Sequence, residues 1–558
     1  MIKKILLFIV FTLSIQYIQA QEEFITLWKP YSQSSTPGTV DAPVQSANNE
    51  IWFPGIGENY TITWEEVNYP QHSGTIPNVT SDKQVLINFG TSLNPIPADA
   101  LYKVKVSNGT GTFKQIQFAN NTAGWLFNGD ANKVLEIQQW GNIKWQSMRS
   151  AFSYCGLLQL TASDSPDLSK ATDVSYMFYN AREFIGNASM ANWPTSKIKN
   201  FEYMFSGPIA SPVSSTFNAP VGSWDTSSAE NFSYMFYGKK FFNQNLNSWN
   251  TSKVTDMSYM FSFTRDFNQP LSNWNTSQVT NMSSMFYMNK NFNQNLDSWN
   301  TSNVTDISYM FAETENFNQP LNSWDTSQVI NMTFLFHYNM NFNQPLNNWD
   351  TSSATDISHI FHGCTAFNQP LDLWDTSKVT TITLMFSGAT RFNQSLETWN
   401  LPLLTTADSV FTNSGLDCNN YSKTLVGWAN NPNTASNINL GSLASLSYSS
   451  DIIDQREVLI NKGWIFSNDV PGECRFLAVS EAGSKESGSI YPNPAHHTIF
   501  IKNIADIQSY VIIDATGRIS GKGVVTDGTV NVESLAPGNY FLQLISKEKI
   551  HPFKFIKK

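Results

Sequence analysis

Charge is what this sequence is short of. Asp, Glu, Lys and Arg make up 14% of its 558 residues, against roughly 25% in an ordinary soluble domain. The 34 basic side chains are outnumbered by 44 acidic ones, a formal net charge of −10. A surface so poor in Lys and Arg excludes nucleic acid as a partner, because phosphate backbones demand basic faces. Four cysteines over this length are too few for a disulfide-built scaffold. Long apolar runs are missing too. The stretch Ile5 to Ile15 is eleven residues, short of the ~20 that cross a bilayer, and no later stretch spans either. Nowhere does the sequence show the nucleophile–base spacing of a hydrolase, so no catalytic residue, cofactor or metal is assigned. What remains is ample core material, 41% hydrophobic, with aromatic rings as frequent as charges at 14%. That rules out wholesale disorder.

The two ends read as addresses. Lys3 and Lys4 precede the apolar run, and Ala20 stands before Gln21, the layout of a secretory signal over residues 1–20 cleaved between Ala20 and Gln21. After a Ser/Gly/Glu-rich linker at 476–488, residues 489–558 alternate short β-rich runs with turns, the pattern of a small antiparallel sandwich. Four of its elements, "YPNP", "IIDATGR", "L-x-PGNYFLQL" and the terminal "FKFIKK", resemble in order the C-terminal sorting domain of the Bacteroidetes type IX secretion system. The resemblance implies handling by that machinery and an extracellular or outer-membrane-surface location reached through the periplasm. With both ends removed, the net charge of the remainder falls to −15, which repels nucleic acid and anionic lipid alike.

The middle repeats itself. Trp224, Trp249, Trp274, Trp299, Trp324, Trp349, Trp374 and Trp399 recur every 25 residues without a slip, and the columns Phe217 to Phe392 and Phe236 to Phe411 keep the same period. The unit is F-N-Q-P-L-x-x-W-[DN]-T-S-x-V-T-[DN]-M-S-x-M-F plus about five variable residues, with looser copies upstream, some eleven turns over 140–411. One such unit cannot bury its rings alone; stacking on neighbours completes its core. Val254, Met257, Met260 and Phe261 are spaced for a short helical turn, "NLNSW" suits a short strand, and Asn250-Thr251-Ser252 the turn between them. The expected fold is therefore a repeat solenoid, leucine-rich-repeat-like, with a short strand and a short helix per turn. The Asp that follows Trp in three consecutive turns, Asp325, Asp350 and Asp375, is expected to accept the backbone N–H groups just beyond it. A calcium ladder is the alternative, but the Gly-rich framework of such ladders is missing. These units are similar to the BspA-like surface repeats first noticed in mycoplasma lipoproteins. That resemblance implies a leucine-rich-repeat-like coil and surface adhesion, and transfers no catalytic residue.

Residues 21–139 carry six strand-like runs, "FITLW", "YTITWEEV", "QVLINF", "LYKVKVS", "FKQIQFA" and "VLEIQQW". They are expected to form a β-sandwich-like domain that closes the first turn. It resembles the polycystic-kidney-disease-like modules, except that Trp64 runs into Glu65-Glu66-Val67 where the family has W-G-D-G. Residues 412–475 break the period and read as a helix-then-strand cap. Cys155 and Cys364, eight turns apart, are read as small buried residues, whereas Cys418 and Cys474 flank the cap and are disulfide candidates. His337 and His362 share a column in adjacent turns, with His359 and Cys364 nearby. They are read as surface loop imidazoles rather than a metal site.

Variation concentrates just after the terminal Phe of each unit, as expected of loops along one edge of a solenoid. Lys239, Arg265, Lys290, Glu313, His337, Tyr338 and His362 are accordingly the candidate binding residues. The functional expectation is a secreted or surface-attached adhesion scaffold for an extracellular protein or polysaccharide. The alternative is a non-catalytic spacer or accessory module of an extracellular carbohydrate-degrading assembly.

Overall fold

The computed structural model describes residues 22–32, 45–120, 126–127, 129–207, 216–474, 489–502, 504, 506–514, 518–546 and 550–558. Ala20, Gln21 and the linker 476–488 lie outside these residues. The chain divides into two compact units, Met1–Phe476 and Leu477–Lys558.

The first unit begins with strands β1 (Phe24–Trp28), β2 (Glu50–Phe53), β3 (Gly55–Glu66), β4 (Tyr69–Ser81), β5 (Val85–Asn88), β6 (Tyr102–Ser107), β7 (Thr112–Ile116), β8 (Ala119–Asn120), β9 (Leu126–Phe127), β10 (Val134–Gln139) and β11 (Gln159–Leu160). All six strand-like runs of the sequence fall on strands. The main sheet has the order β11-β10-β1-β6-β3-β4 with β7 also on β3, while β2–β5 and β8–β9 form small pairs. Alternation sets its two faces. Tyr102, Val104 and Val106 point into the core and Lys103 and Lys105 away from it. Because β11 joins β10 in parallel, this sheet runs into the first coil. One continuous apolar core extends from Phe24 to Trp464.

Asn, Gln, Trp and Thr of the repeat tie each coil to its neighbours, and the Asx residue after Trp closes a turn within its own coil. Asn268 and Gln269 both bond to the Asn243 amide oxygen of the preceding coil, at 3.0 and 3.1 Å. The Trp274 indole donates to Leu246 O (2.9 Å), and the Thr251 hydroxyl to Asn275 O (2.8 Å). Asn250 accepts from Ser252 N, and Asp325, Asp350 and Asp375 accept likewise from Ser327, Ser352 and Ser377. The rings stack in register: Phe261 lies 5.8 Å from Phe286, Phe267 6.2 Å from Phe292, and Trp274 6.2 Å from Trp299. Within a coil, Phe261 and Phe267 are 4.0 Å apart.

The expected strand and helix of each turn are replaced by something tighter. "NLNSW" forms no strand, and the coils pair in parallel through one-residue bridges running from Asp173 through Asn200, Asn231, Asp256, Asn281, Asp306, Asn331, Asp356 and Thr381 to Thr406. No helix forms after it. Met257, Tyr259, Phe261 and Phe263 donate their N–H to Asn281, Ser283, Met285 and Tyr287 of the next coil, while Met260, Ser262 and Thr264 donate back three residues. Every second donor is thus taken by a neighbour, and Tyr259 and Phe263 sit at φ +57°, which no right-handed helix accommodates. Left-handed non-glycine residues cost roughly 1–2 kcal/mol each. The ladder between coils offsets that cost.

The stack ends on helix α1 (Cys418–Asn430), capped by Asp417 accepting from Asn420 N. Its Trp428 donates to Leu396 O (3.0 Å), continuing the Trp ladder from a helix. There follow β12 (Asn439–Ser442), β13 (Ser447–Ser449), α2 (Ile453–Asn461), β14 (Ile465–Ser467) and β15 (Val470–Gly472), with β12–β14 and β13–β15 paired in parallel. A disulfide joins Cys418 to Cys474, with Cα atoms 6.0 Å apart. Cys155 and Cys364 are buried thiols.

The second unit holds β16 (Ser489–Tyr491), β17 (Thr498–Lys502), β18 (Ile507–Asp514), β19 (Ile519–Val524), β20 (Thr529–Asn531), β21 (Gly538–Ser546) and β22 (Ile550–Lys557). Its two sheets, β16-β17-β20 and β19-β18-β21-β22, share a core around Ile499, Ile512, Val530, Leu542, Leu544 and Phe555.

Candidate functional site

The position before the terminal Met-Phe of each unit, held at φ between +54° and +60° in successive coils, forms a stripe of rings on the outside of the stack. Tyr176, Tyr203, Tyr234 and Tyr259 follow one another at 4.7, 4.2 and 4.3 Å. Ser284 interrupts them, and Tyr309, Phe334 and His359 resume at 4.3 and 4.0 Å. All seven rings are half-buried, edges outward, because neighbouring faces stack on each other.

The stripe broadens where two coils bring five rings together. His337 lies 5.1 Å from Phe334, 4.5 Å from Tyr338 and 4.8 Å from His362, and His359 stacks flat on Phe334. Tyr338 is 42% exposed and packs over Gly363, where a Cβ would come within 2.5 Å of its ring. Gly363, at φ +74°, is thus the residue that lets Tyr338 lie down. Burial, then His362 and His359, push the His337 imidazole down to about 4. Burial first also lowers His359 and His362. At neutral pH the patch is therefore uncharged. The Nδ1 atoms of all three imidazoles are enclosed without a hydrogen-bond partner, so these are packed side chains and not the loose surface imidazoles expected. Among the described residues no group of three His, Cys, Asp or Glu is placed to hold a metal ion.

The seven candidate binding residues separate. His337, Tyr338 and His362 meet in the patch. Glu313 accepts from the Tyr287 hydroxyl (3.4 Å) one coil away. Arg265 pairs with Asp266 and Lys290 with Glu315 on an exposed edge. Lys239 is a correction: it is 2% exposed, and burial pushes its amine down to about 7. Its column turns inward. Thr264 and Thr314 of that column donate to Phe236 O and Phe286 O at 2.8 and 3.0 Å, and Cys364 to Phe336 O at 2.8 Å. Sequence reasoning missed Phe334 and named His359 only as a neighbour of His337 and His362, not as a binding residue. Their signal was present in the x of S-x-M-F, which is aromatic in most units.

Coils that recur every 25 residues and exchange backbone hydrogen bonds with their neighbours define a repeat protein. The chain belongs to the family described as "Mycoplasma protein of unknown function, DUF285", which it matches over residues 146–269, 240–339 and 315–424, together half of its length. Residues 489–558 match the secretion system C-terminal sorting domain, a tail that directs type IX export to the cell surface or extracellular space. No curated protein matches the chain. Among the described residues no helix is long and apolar enough to cross a membrane.

Proposed function

We propose that this is a secreted or surface-attached adhesion scaffold, a leucine-rich-repeat-like, BspA-like solenoid that grips an extracellular protein or polysaccharide through its ring-lined face. The observation that carries this reading is the five-ring patch of Phe334, His337, Tyr338, His359 and His362. A neutral, half-exposed aromatic surface spread over two coils offers apolar contact plus polar edges, the composition of interface hot spots. Binding through it involves no net charge, so it should persist in ~0.5 M salt, where exposed ion pairs are screened.

The test is an array of matrix proteins and polysaccharides probed with the full chain and with a variant carrying His337→Ala, Tyr338→Asn and His362→Ala. Asn is chosen at 338 because it tolerates φ +52° there. Every captured ligand should bind the variant at least about tenfold more weakly, a loss of ~1.4 kcal/mol. Unchanged capture by a variant that melts normally sinks the proposal.

A further inference from the structure

One end of the N-terminal sheet holds a cavity that the repeat face does not involve. It measures about 260 Å³ and is lined from five chain segments, among them Tyr31 after β1, Asn48 and Asn49 before β2, and Thr91 and Ser92 after β5, with Tyr102 of β6 behind them. This is slightly smaller than the ~300–1,000 Å³ of pockets for drug-sized ligands, and so suits one small ring.

Among the described residues the lining carries no charged side chain. Lys29, the basic residue nearest in sequence, is engaged with Asp99 at 3.4 Å. The buried Glu66 carboxylate behind Ser92 is likewise held by its own donors, so the charges beside the described lining are already engaged. The polar groups are amides and hydroxyls, which both donate and accept. Tyr31, Asn48 and Thr91 have side chains that make no hydrogen bond among the described residues. Tyr31 is 47% exposed while lining the cavity, and Tyr102 is locked against Phe89 by a 4.1 Å stack.

The walls are set in advance. Glu66, buried at the end of β3, takes hydrogen bonds from the Ser92 hydroxyl (2.6 Å), Leu93 N and Asn94 N (both 2.9 Å) and engages His72 Nδ1 (2.5 Å). Asn49 in turn bonds to Gly90 O (3.1 Å). A carboxylate with this many donors fixes the 90–94 loop before any ligand arrives, which lowers the ordering cost of binding. The Glu65-Glu66 departure noted in the sequence thus has a structural role: Glu66 holds the loop that forms one wall.

We propose that this cavity is a binding site for one neutral sugar unit, an exposed tyrosine ring meeting its C–H face and free amide and hydroxyl groups meeting its hydroxyls. The inference stands apart from the repeat face, and the two fail separately. The experiment is saturation-transfer NMR followed by calorimetry on the full chain with glucose, galactose, mannose, cellobiose and, as the charged control, glucuronate. The variants are Tyr31→Ala and Asn48→Ala, both at exposed positions, alongside the triple variant of the repeat face. At least one neutral sugar should bind with millimolar affinity, each cavity variant should weaken it about tenfold, and the repeat-face variant should bind it normally. No neutral sugar bound at ~50 mM, glucuronate bound as tightly as the neutral sugars, or binding unchanged by both cavity substitutions would each overturn the proposal.

Discussion

Lys239→Met tests the inward turn of the variable segment. Burial holds the folded amine near 7, against about 10.4 in an unfolded chain. Between those values the unfolded chain binds the extra proton and the fold does not, so stability rises with pH across the window. The slope is at most ~1.4 kcal/mol per pH unit, or about 3 kcal/mol between pH 7 and 9.5. Above pH ~10 the tyrosines act in the opposite sense. Burial, first among its causes, pushes Tyr203 up to about 12, so unfolded tyrosines ionise first and stability falls; the measurement stops short of that range. Urea unfolding of wild type and Lys239→Met, followed by tryptophan fluorescence at pH 7.0, 8.0, 9.0 and 9.5 (conditions spaced at roughly one unit), gives the comparison. The wild type should gain stability relative to the variant, and methionine, which fills the space without a charge, should remove that part of the slope. Parallel curves refute the argument, because an amine in contact with solvent loses no proton on folding.

Other outcomes follow from single contacts. Trp299→Phe keeps a ring in the ladder but removes the indole N–H that reaches Leu271 O at 3.1 Å; that carbonyl keeps the Trp274 N–H, so losing one of its two bonds should cost about 0.5–1.5 kcal/mol, and equal melting temperatures would contradict it. Replacing Cys418 and Cys474 by serine opens a link of 56-residue separation, worth up to ~4 kcal/mol in the chain-entropy account; hydrogen exchange should report the loss in the cap first, and an unaltered cap argues against it. For His337 the folded value near 4 lies below the ordinary 6.5. The unfolded chain therefore takes up a proton first, and stability should fall as pH drops through 6.5 toward 4. Substituting His337, His359 and His362 should flatten that decline, and an unchanged acid limb in the unfolding curves would count against burial of the patch.

Much of the coil was legible because its period is a spacing of whole side chains. Trp and Phe columns at 25 residues can satisfy burial only by stacking, and the Asx residues before Ser are local turn formers that bond two residues ahead. What spacing does not encode is where each backbone N–H goes. Met257 and Met260 carry the pattern of a helix, but a donor three residues from its acceptor competes with one 24 residues away, and only the assembled stack decides between them. Lys239 was misplaced for the same reason. The alternation of donors turns its position toward the interior, where threonine, asparagine and cysteine stand in neighbouring coils.

The sequence alone determined the repeat, the ring columns, the polar turn positions and the C-terminal sorting tail, since each rests on local chemistry or on a fixed interval. Tertiary structure alone decided the left-handed positions, the meeting of His337 with Phe334 and His359, and the gathering of Tyr31, Asn48 and Thr91 around one cavity. Those depend on contacts between segments far apart in the chain. Local propensity has no term for such contacts.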